Sequence, residues 1–422
     1  MPQHPSQPST AEYAAFVGID WADQEHAVCI INDETTRETT LDQTPEAIAA
    51  WVAELQQQFG ERPVAVALEQ KRGALIAALL QYPTLVLFPI NPKQLARYRE
   101  SLAPGGGKND PEDARLLAEF LQKHLDRLRP WAPDDVQTRQ LARLCELRRK
   151  AVEARKQAVQ QLTDTLKQSF PLALEIAGAL TTLRALALLK RWPTHHALRR
   201  ANPETLRRFF REHGTRDPQR LDELVQRIRT ATPLTRDPAI VEPAGLWTET
   251  LVKQVRMFHD AIAGFEKEIA RLFRAHEDAA LFEGLPGAGA ALAPRLLVAF
   301  GSQRDRYESA LDVQTYSGIA PVTKSSGKSK HVQRRFACPR FLRQTFHEFA
   351  QHTRKKSAWS RAYYRMLRAR GKKHQAAIRA LAYKWIRILF QVWKTRTPYD
   401  ELRYLQTLRN RNSPIINFLE TT

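Results

Sequence analysis

The chain has few cysteines and no long apolar run, and these absences exclude several classes of protein. Its three cysteines, Cys29, Cys145 and Cys338, lie far apart and form no CxxC pair, which excludes zinc-ribbon and thioredoxin-like sites. Three thiols are too few for a disulfide framework, as is typical of proteins from a reducing cytosol. Because no run of about 18 apolar residues occurs and the N-terminus is polar, we predict neither a transmembrane helix nor a signal peptide.

Acidic residues are almost absent from one part of the chain. The 422 residues include 65 Lys or Arg and 45 Asp or Glu, so the formal net charge is 65 − 45 = +20. Residues 323–387 contain 19 of the basic residues and a single acid, Glu348, so this segment carries 19 − 1 = +18. A positive charge concentrated in one segment is typical of a surface that binds nucleic-acid phosphates. We therefore expect DNA as a partner and a cytoplasmic, nucleoid-associated location.

The length predicts more than one domain, because single hydrophobic cores stop growing near about 250–300 residues. The first part alternates short strands with helices, which predicts a mixed α/β sheet. Two long charged helical segments, 134–167 and 246–275, predict a coiled-coil stalk, with a proline-interrupted helical lobe inserted between them. We predict these divisions: a disordered tail at 1–13, an α/β domain at 14–130, a stalk with insertion at 131–275, a helical C-terminal domain at 276–402 and a tail at 403–422.

Four carboxylates fall at the ends of predicted elements in the α/β part. Asp20 and Glu69 each end a strand, and Asp110 and Asp113 lie three residues apart at a helix start, so these two share one helix face. Such a cluster is costly unless a hard cation neutralises it, and Mg²⁺ prefers oxygen ligands. One or two ions held there could support phosphodiester chemistry.

Each of these acids also has a purely structural interpretation. Asp110 followed by Pro111 is a favourable helix start, with the aspartate as N-cap and the proline as the first helical residue. Asp20 could be a turn residue before Trp21, and Glu69 could keep the end of its strand in water. Capping and metal binding are compatible roles for neighbouring residues, so both interpretations stay open.

Two loops in the C-terminal part carry further candidate groups. The turn at residues 284–289 is rich in glycine and lies between two predicted helices, so its amides could hold a phosphate. We predict residues 318–330 as a polar, basic loop in which Ser325 or Ser326 could act as a nucleophile toward a phosphodiester. The same loop could equally be a solvated turn, and its spacing is not that of a Walker A motif.

Together these blocks resemble the DEDD insertion-sequence transposases of the IS110 family, which are relatives of a pilin-gene invertase. The resemblance lies in Gly18-Ile-Asp20 with Glu69, in residues 108–115, and in the C-terminal motifs at 285–289, 316–321, 326–327 and 398–400. It covers roughly residues 14–130 and 280–402. The length of the segment 171–245 departs from a minimal stalk.

The resemblance implies a fold, a mechanism and partners. It implies an RNase H/RuvC-like N-terminal domain in which Asp20, Glu69, Asp110 and Asp113 bind Mg²⁺, and a C-terminal domain in which Ser326 is the nucleophile, with Ser325 as the alternative. It also implies a structured guide RNA and a homo-oligomer whose active sites combine acids from one subunit with the serine of another. Expected nucleic-acid contacts are Lys108, Gly287, Gly289, Lys324, Lys328, Lys330, Arg334 and Arg335.

Three functions are compatible with these features. The first is a transposase or recombinase that cuts and rejoins DNA strands through a covalent serine intermediate. The second is a RuvC-like structure-specific endonuclease that hydrolyses DNA junctions with metal-activated water, and it needs the same acids but not the serine. The third is a non-catalytic nucleic-acid-binding protein that uses only the basic surface.

Overall fold

The computed structural model describes residues 12–69, 73–102, 109–326, 329–333 and 335–419. The chain divides into two compact units, Met1–Pro133 and Asp134–Thr422. The first contains a mixed sheet with helices and the second is largely helical, which confirms the predicted combination of α/β and all-α parts. In the described ranges, no helix is both long enough and apolar enough to cross a membrane.

The first unit is built on a five-stranded sheet in the order β3-β2-β1-β4-β5. Its strands are β1 (Ala15–Asp20), β2 (Glu25–Ile31), β3 (Thr36–Asp42), β4 (Val64–Leu68) and β5 (Leu85–Pro89). The first three strands are antiparallel neighbours, as the short connections between them predict. The strands β1, β4 and β5 are parallel, so their carboxyl ends meet at one edge of the sheet.

Helices cover both faces of this sheet. They are α1 (Pro45–Phe59) and α2 (Ala74–Leu79) on one face, and α3 (Pro92–Leu102) and α4 (Asp110–Lys123) on the other. Successive side chains of a strand point to opposite faces. Val17 and Ile19 of β1 therefore pack with α1 and α2, whereas Phe16 packs with α3 and α4. Strands with both faces covered are largely apolar, as the central β1 is up to Ile19 and β4 is over its whole length.

Two long antiparallel helices, α5 (Val136–Ser169) and α11 (Pro238–Arg274), organise the second unit. Their 34 and 37 residues correspond to lengths of about 51 and 56 Å. Arg148 forms an ion pair with Glu266 at 2.6 Å, and Thr138 hydrogen-bonds to His276 at 2.8 Å. The start of α5 therefore lies beside the end of α11, and the two helices run in opposite directions.

The predicted start of this second long helix at residue 246, after the proline-interrupted lobe, was wrong. Helix α11 begins at Pro238 and contains Pro243 in its second turn. A proline there removes only one backbone hydrogen bond, and the helix continues because buried residues such as Leu251 and Val255 pack along its whole length.

Five short helices between α5 and α11 form a lobe with its own core. They are α6 (Pro171–Ala177), α7 (Leu183–Arg191), α8 (His195–Arg199), α9 (Pro203–Glu212) and α10 (Pro218–Thr230). Pro203 and Pro218 each lie at a helix start, where a missing amide hydrogen costs nothing. The lobe core joins Phe210 and Leu188 to Leu162 of α5 and Leu251 of α11.

The remaining helices of the second unit surround an apolar core that contains three fully buried tryptophans, Trp359, Trp385 and Trp393. These helices are α12 (Ala279–Glu283), α13 (Gly289–Phe300), α14 (Ala310–Tyr316), α15 (Arg340–Lys356), α16 (Ala358–Ala369), α17 (His374–Thr395) and α18 (Glu401–Asn410). The segment 403–422, which we predicted as a tail, carries most of α18, and Leu408 and Ile415 are buried in this core.

The predicted loop at 318–330 is instead largely a β-hairpin. Strands β6 (Val322–Ser326) and β7 (Ser329–Gln333) pair antiparallel, with Ser326 opposite Ser329. The small polar residues suggested a loop, but pairing across a two-residue connection stabilises strands that neither segment would form alone.

Candidate active site

Two of the predicted acids lie side by side at the edge of the sheet. Ile19 of β1 pairs with Leu68 of β4, so the next residues, Asp20 and Glu69, follow neighbouring positions of parallel strands. Adjacent strands are about 4.8 Å apart. By strand alternation, Asp20 shares the face of Gly18, which is the face that α4 covers.

Helix α4 crosses β1 at unusually close range. A Cβ atom added at Gly18 would lie 1.9 Å from the carbonyl oxygen of Ala114 and 2.6 Å from the amide nitrogen of Ala118. Only glycine permits this approach. The contact anchors the first half of α4, which begins with Asp110 and Asp113, against the strand that ends in Asp20.

The predicted N-cap role of Asp110 was wrong. The cap position is Asn109, with an extended backbone (φ −142°), and Asp110 is itself the first helical residue. Asp110 is exposed whereas Asp113 is buried. Asp110 is therefore a first-turn acid, which stabilises the positive end of the helix dipole, and is not the N-cap itself.

Asp113 is neutralised by a partner that the sequence did not reveal. Its carboxylate, 5% exposed, forms an ion pair with the guanidinium of Arg99 on α3. The Arg99 Nε atom is buried with no hydrogen-bond partner in the described part of the chain. Arg99 therefore supplies a positive charge at the position where a metal-ligand role was predicted for Asp113.

The donor chemistry fits a hard divalent cation, but the side chains do not form a closed site. In the ranges that the structure describes, no three His, Cys, Asp or Glu side chains lie close enough together to hold a metal ion. Asp20 and Glu69 both make further interactions, and Asp113 is occupied by Arg99. The four-acid metal site stays a prediction that requires Arg99 to release Asp113.

The loop after Asp20 is held by a buried histidine. His26, fully buried in β2, bonds to Gln43 Oε1 at 2.8 Å and accepts the amide hydrogen of Ala22 at 3.2 Å. Trp21 stacks on the His26 ring with centroids 6.5 Å apart and is 42% exposed. The loop thus presents an aromatic surface directly beside the strand end.

In the second unit, the hairpin that carries Ser326 is held at its base. Gly318 has a positive φ of 73°, and a Cβ there would lie 2.3 Å from Cys338 Sγ. The backbone amides of Ile319 and Ala320 both donate to the Gln314 carbonyl oxygen, at 3.0 and 2.8 Å. The contact between Gly318 and Cys338 brings together the chain segments before β6 and after β7.

Comparisons with known proteins give this arrangement a family. Residues 17–171 match the model of a DEDD transposase domain of IS110 type, and residues 279–365 match the model described as transposase IS116/IS110/IS902 family. The mini-circle putative transposase for IS117 of Streptomyces coelicolor is 30% identical, over 92% of this chain and 96% of that protein. This chain belongs to the IS110/IS116/IS902 family of transposases.

Other relatives cover nearly the whole chain as well. A 42 kDa protein of the insertion element IS900 from Mycobacterium paratuberculosis is 27% identical over 91% of this chain and 96% of its own length. A 44.8 kDa protein of IS116 from Streptomyces clavuligerus is 26% identical over 92% and 96%. Membership of a transposase family implies DNA substrates for this transposase.

The glycine-rich turn at residues 284–289 of the transposase connects helices α12 and α13. Gly287 has a positive φ of 80°, and a Cβ there would lie 3.0 Å from the backbone of His352 on α15. Gly289, with φ 55°, is exposed and begins α13, whose start has no side-chain cap. Gly287 therefore has a packing role, while a phosphate contact at Gly289 stays a prediction.

Several predicted contacts cannot be compared with the structure. Lys108, Lys328 and Arg334 lie outside the described residues, as do the side chains of Lys324, Ser325, Ser326 and Lys330. Arg335 is described: it is half-buried, and its Nε atom has no hydrogen-bond partner among the described residues.

The single acid of the basic segment 323–387 pairs with an arginine that lies outside that segment. Glu348 is paired with Arg295 of α13, whose side chain is only 8% exposed. Arg295 lies outside the segment and is held by Thr345 as well, at 3.2 Å. The basic residues of 323–387 are therefore left with almost no carboxylate partner within the segment, which favours binding of an external polyanion.

Proposed function

We propose that this transposase cuts and rejoins DNA strands with its carboxylate cluster and a serine nucleophile. The observation that carries the proposal is the register of β1 and β4, which aligns Asp20 with Glu69 under the start of α4. The strand order, with three antiparallel strands followed by two parallel ones, supports an RNase H/RuvC-like domain.

The proposed roles of the acids follow from their positions. Asp20, Glu69, Asp110 and Asp113 would hold one or two Mg²⁺ ions, which supply charge neutralisation at a scissile phosphate. Asp20 and Glu69 would act as the rigid half of the site, since sheet hydrogen bonds position them. Asp113 would join after it separates from Arg99, and the freed guanidinium could then contact a phosphate oxygen.

The proposed serine chemistry exchanges one phosphodiester for another. The Ser326 oxygen attacks phosphorus and forms a phosphoserine ester, while the bond from phosphorus to the leaving strand oxygen breaks and that oxygen takes up a proton. A hydroxyl from the other strand then attacks the phosphoserine, which restores the serine and seals the new strand. No net hydrolysis occurs, so bond energy is conserved.

The test is a trapped covalent adduct between the protein and labelled DNA. Ser326→Ala should abolish the adduct, whereas the matched Ser325→Ala should retain it. Asp20→Ala should also abolish it while leaving DNA binding intact. Adduct formation by Ser326→Ala but not by Ser325→Ala would transfer the role to Ser325. Free hydroxyl and phosphate ends with no adduct from any variant would favour a water-using endonuclease instead.

We also propose that active sites are shared between subunits of a homo-oligomer. Mixing Asp20→Ala with Ser326→Ala protein provides the test, because a mixed oligomer would contain one site with intact acids and an intact serine. Recovery of strand transfer in the mixture supports shared sites. Complete inactivity of a mixture that demonstrably exchanges subunits would place acids and serine in the same chain.

A structured guide RNA is the proposed third component. The +18 segment supports it, since a concentrated positive charge favours binding of a polyanion. Sequencing of the nucleic acid that copurifies with the protein would identify it. Strand transfer that persists after complete RNase digestion, with DNA and Mg²⁺ alone, would contradict the need for RNA. A protein that binds nucleic acid but leaves strands intact under all conditions would be a binding protein only.

A further inference from the structure

A basic groove in the C-terminal part of the transposase has no assigned role. It lies between α17 and α18 and has a volume of about 880 Å³. Lys384, Arg387 and Gln391 line it from α17, at spacings of three and four residues that place them on one helix face. Arg403 and Arg411 line it from α18 and the residue after its end.

The groove has a net positive charge that the described residues of the protein do not balance. Four basic side chains and one acid, Asp400, line it, which gives 4 − 1 = +3. Asp400 accepts the amide hydrogens of Leu402 and Arg403 at 2.8 and 3.1 Å, so it serves as the cap of α18. Within the described residues, none of the four cations has a carboxylate oxygen within 4.0 Å, the limit for an ion pair.

The cations converge closely enough to repel each other. Lys384 is half-buried and lies over the ring of Tyr363, with Nζ 5.2 Å from the ring centroid. Burial lowers the pKa of Lys384, and the charges of Arg387 and Arg411 lower it further. Burial raises the pKa of Tyr404, beside them, to about 12, so this phenol stays neutral and supplies no negative charge. An external anion would relieve this repulsion.

We propose that this groove binds the phosphodiester backbone of a nucleic-acid strand. From Lys384 to Gln391 the lining face of α17 extends about 10 Å, the rise of roughly three nucleotides of one strand. Phosphodiester is favoured over an acidic peptide because the family already implies DNA as a partner. None of the four proposed metal-binding acids lines the groove, so its binding can be tested without metal.

The experiment measures binding of three labelled probes in EDTA: a short DNA strand, the RNA of the same sequence, and the DNA duplex. Arg411→Gln is compared with Arg409→Gln, a matched exposed arginine of α18 that does not line the groove. The double variant Arg387→Gln/Arg411→Gln extends the series. Arg387 and Arg411 are exposed, so folding should be unaffected, which thermal unfolding would verify.

The expected result is weaker binding with a smaller salt dependence. Each lost phosphate contact should lower the slope of log affinity against log salt by about 0.7 for single strands or about 0.9 for duplex. The double variant should lose about twice as much, and Arg409→Gln should match wild type. Loss confined to RNA, to the DNA strand or to duplex would assign the groove to that partner. Equal affinities and slopes for Arg411→Gln and Arg409→Gln on all three probes would overturn the proposal.

Discussion

Replacement of Gly18 by alanine should displace helix α4 and weaken the first unit. The added Cβ would lie 1.9 Å from the Ala114 carbonyl oxygen, whereas real Cβ contacts are essentially never under 3.0 Å, so the backbone must move by at least 3.0 − 1.9 = 1.1 Å. Overpacking of this kind costs about 1–3 kcal/mol, and backbone atoms on both sides favour the upper end. Because α4 carries Asp110 and Asp113, strand transfer should fall as well.

The measurements are thermal unfolding and hydrogen–deuterium exchange resolved by peptide. Gly18→Ala should lower the unfolding temperature and accelerate exchange in α4. The control is Gly264→Ala in the exposed middle of α11, where a Cβ meets nothing within 4 Å. Alanine is the better helix former by roughly 0.5–1 kcal/mol, so this variant should gain stability. Unchanged stability and unchanged α4 exchange in Gly18→Ala would refute the close-approach argument.

Three further predictions concern an ion pair, a helix cap and the thiols. Arg99→Gln leaves the Asp113 carboxylate buried without its partner, so stability should fall by roughly 1–3 kcal/mol. Added Mg²⁺ should raise the stability of the Arg99→Gln variant more than it raises the stability of wild type. An equal gain in both proteins would contradict the proposed metal role of Asp113. Asp135→Ala removes the cap of α5 and should cost about 1 kcal/mol at pH 7. Burial raises the pKa of Asp135, but hydrogen bonds from Thr138 outweigh it and lower the pKa to about 2. The cost should therefore shrink as pH falls from about 3.8 through 2 in denaturant titrations. A thiol reagent should label Cys338 first, because burial raises the pKa of Cys29 to about 11 and that of Cys145 to about 12. Fast labelling that persists in the Cys338→Ser variant would contradict this expectation.

The sheet and the positions of Asp20 and Glu69 at its strand ends could be largely predicted from local patterns. The buried strands are apolar up to Ile19 in β1 and up to Leu68 in β4, and Asp20 and Glu69 are the next residues. Strands that are separated by helices usually pair in parallel, so the sequence already predicted that Asp20 and Glu69 follow neighbouring strand ends. The helix start at Asp110 was also visible, although its cap proved to be one residue earlier.

Contacts between distant segments could not be predicted in this way. Arg99 and Asp113 are both ordinary helix residues in the sequence, and their ion pair exists only because α3 and α4 pack on the same sheet face. The β6–β7 hairpin likewise depends on cross-strand pairing, and Pro243 is tolerated because α11 packs along α5. The secondary-structure propensity of single residues predicts local structure poorly wherever tertiary packing opposes it.

The amino-acid sequence by itself determined the combination of an α/β part with a helical part, the charge of the segment 323–387 and the family, because periodicity, composition and motif order are local properties. Only the tertiary structure decided which charges are already neutralised. Glu348 and Asp113 have internal arginine partners, whereas no carboxylate among the described residues pairs with the cations of the groove between α17 and α18. The physical reason is that the energy of a charge depends on its neighbours in space and on its access to water, and neither is written in the order of residues.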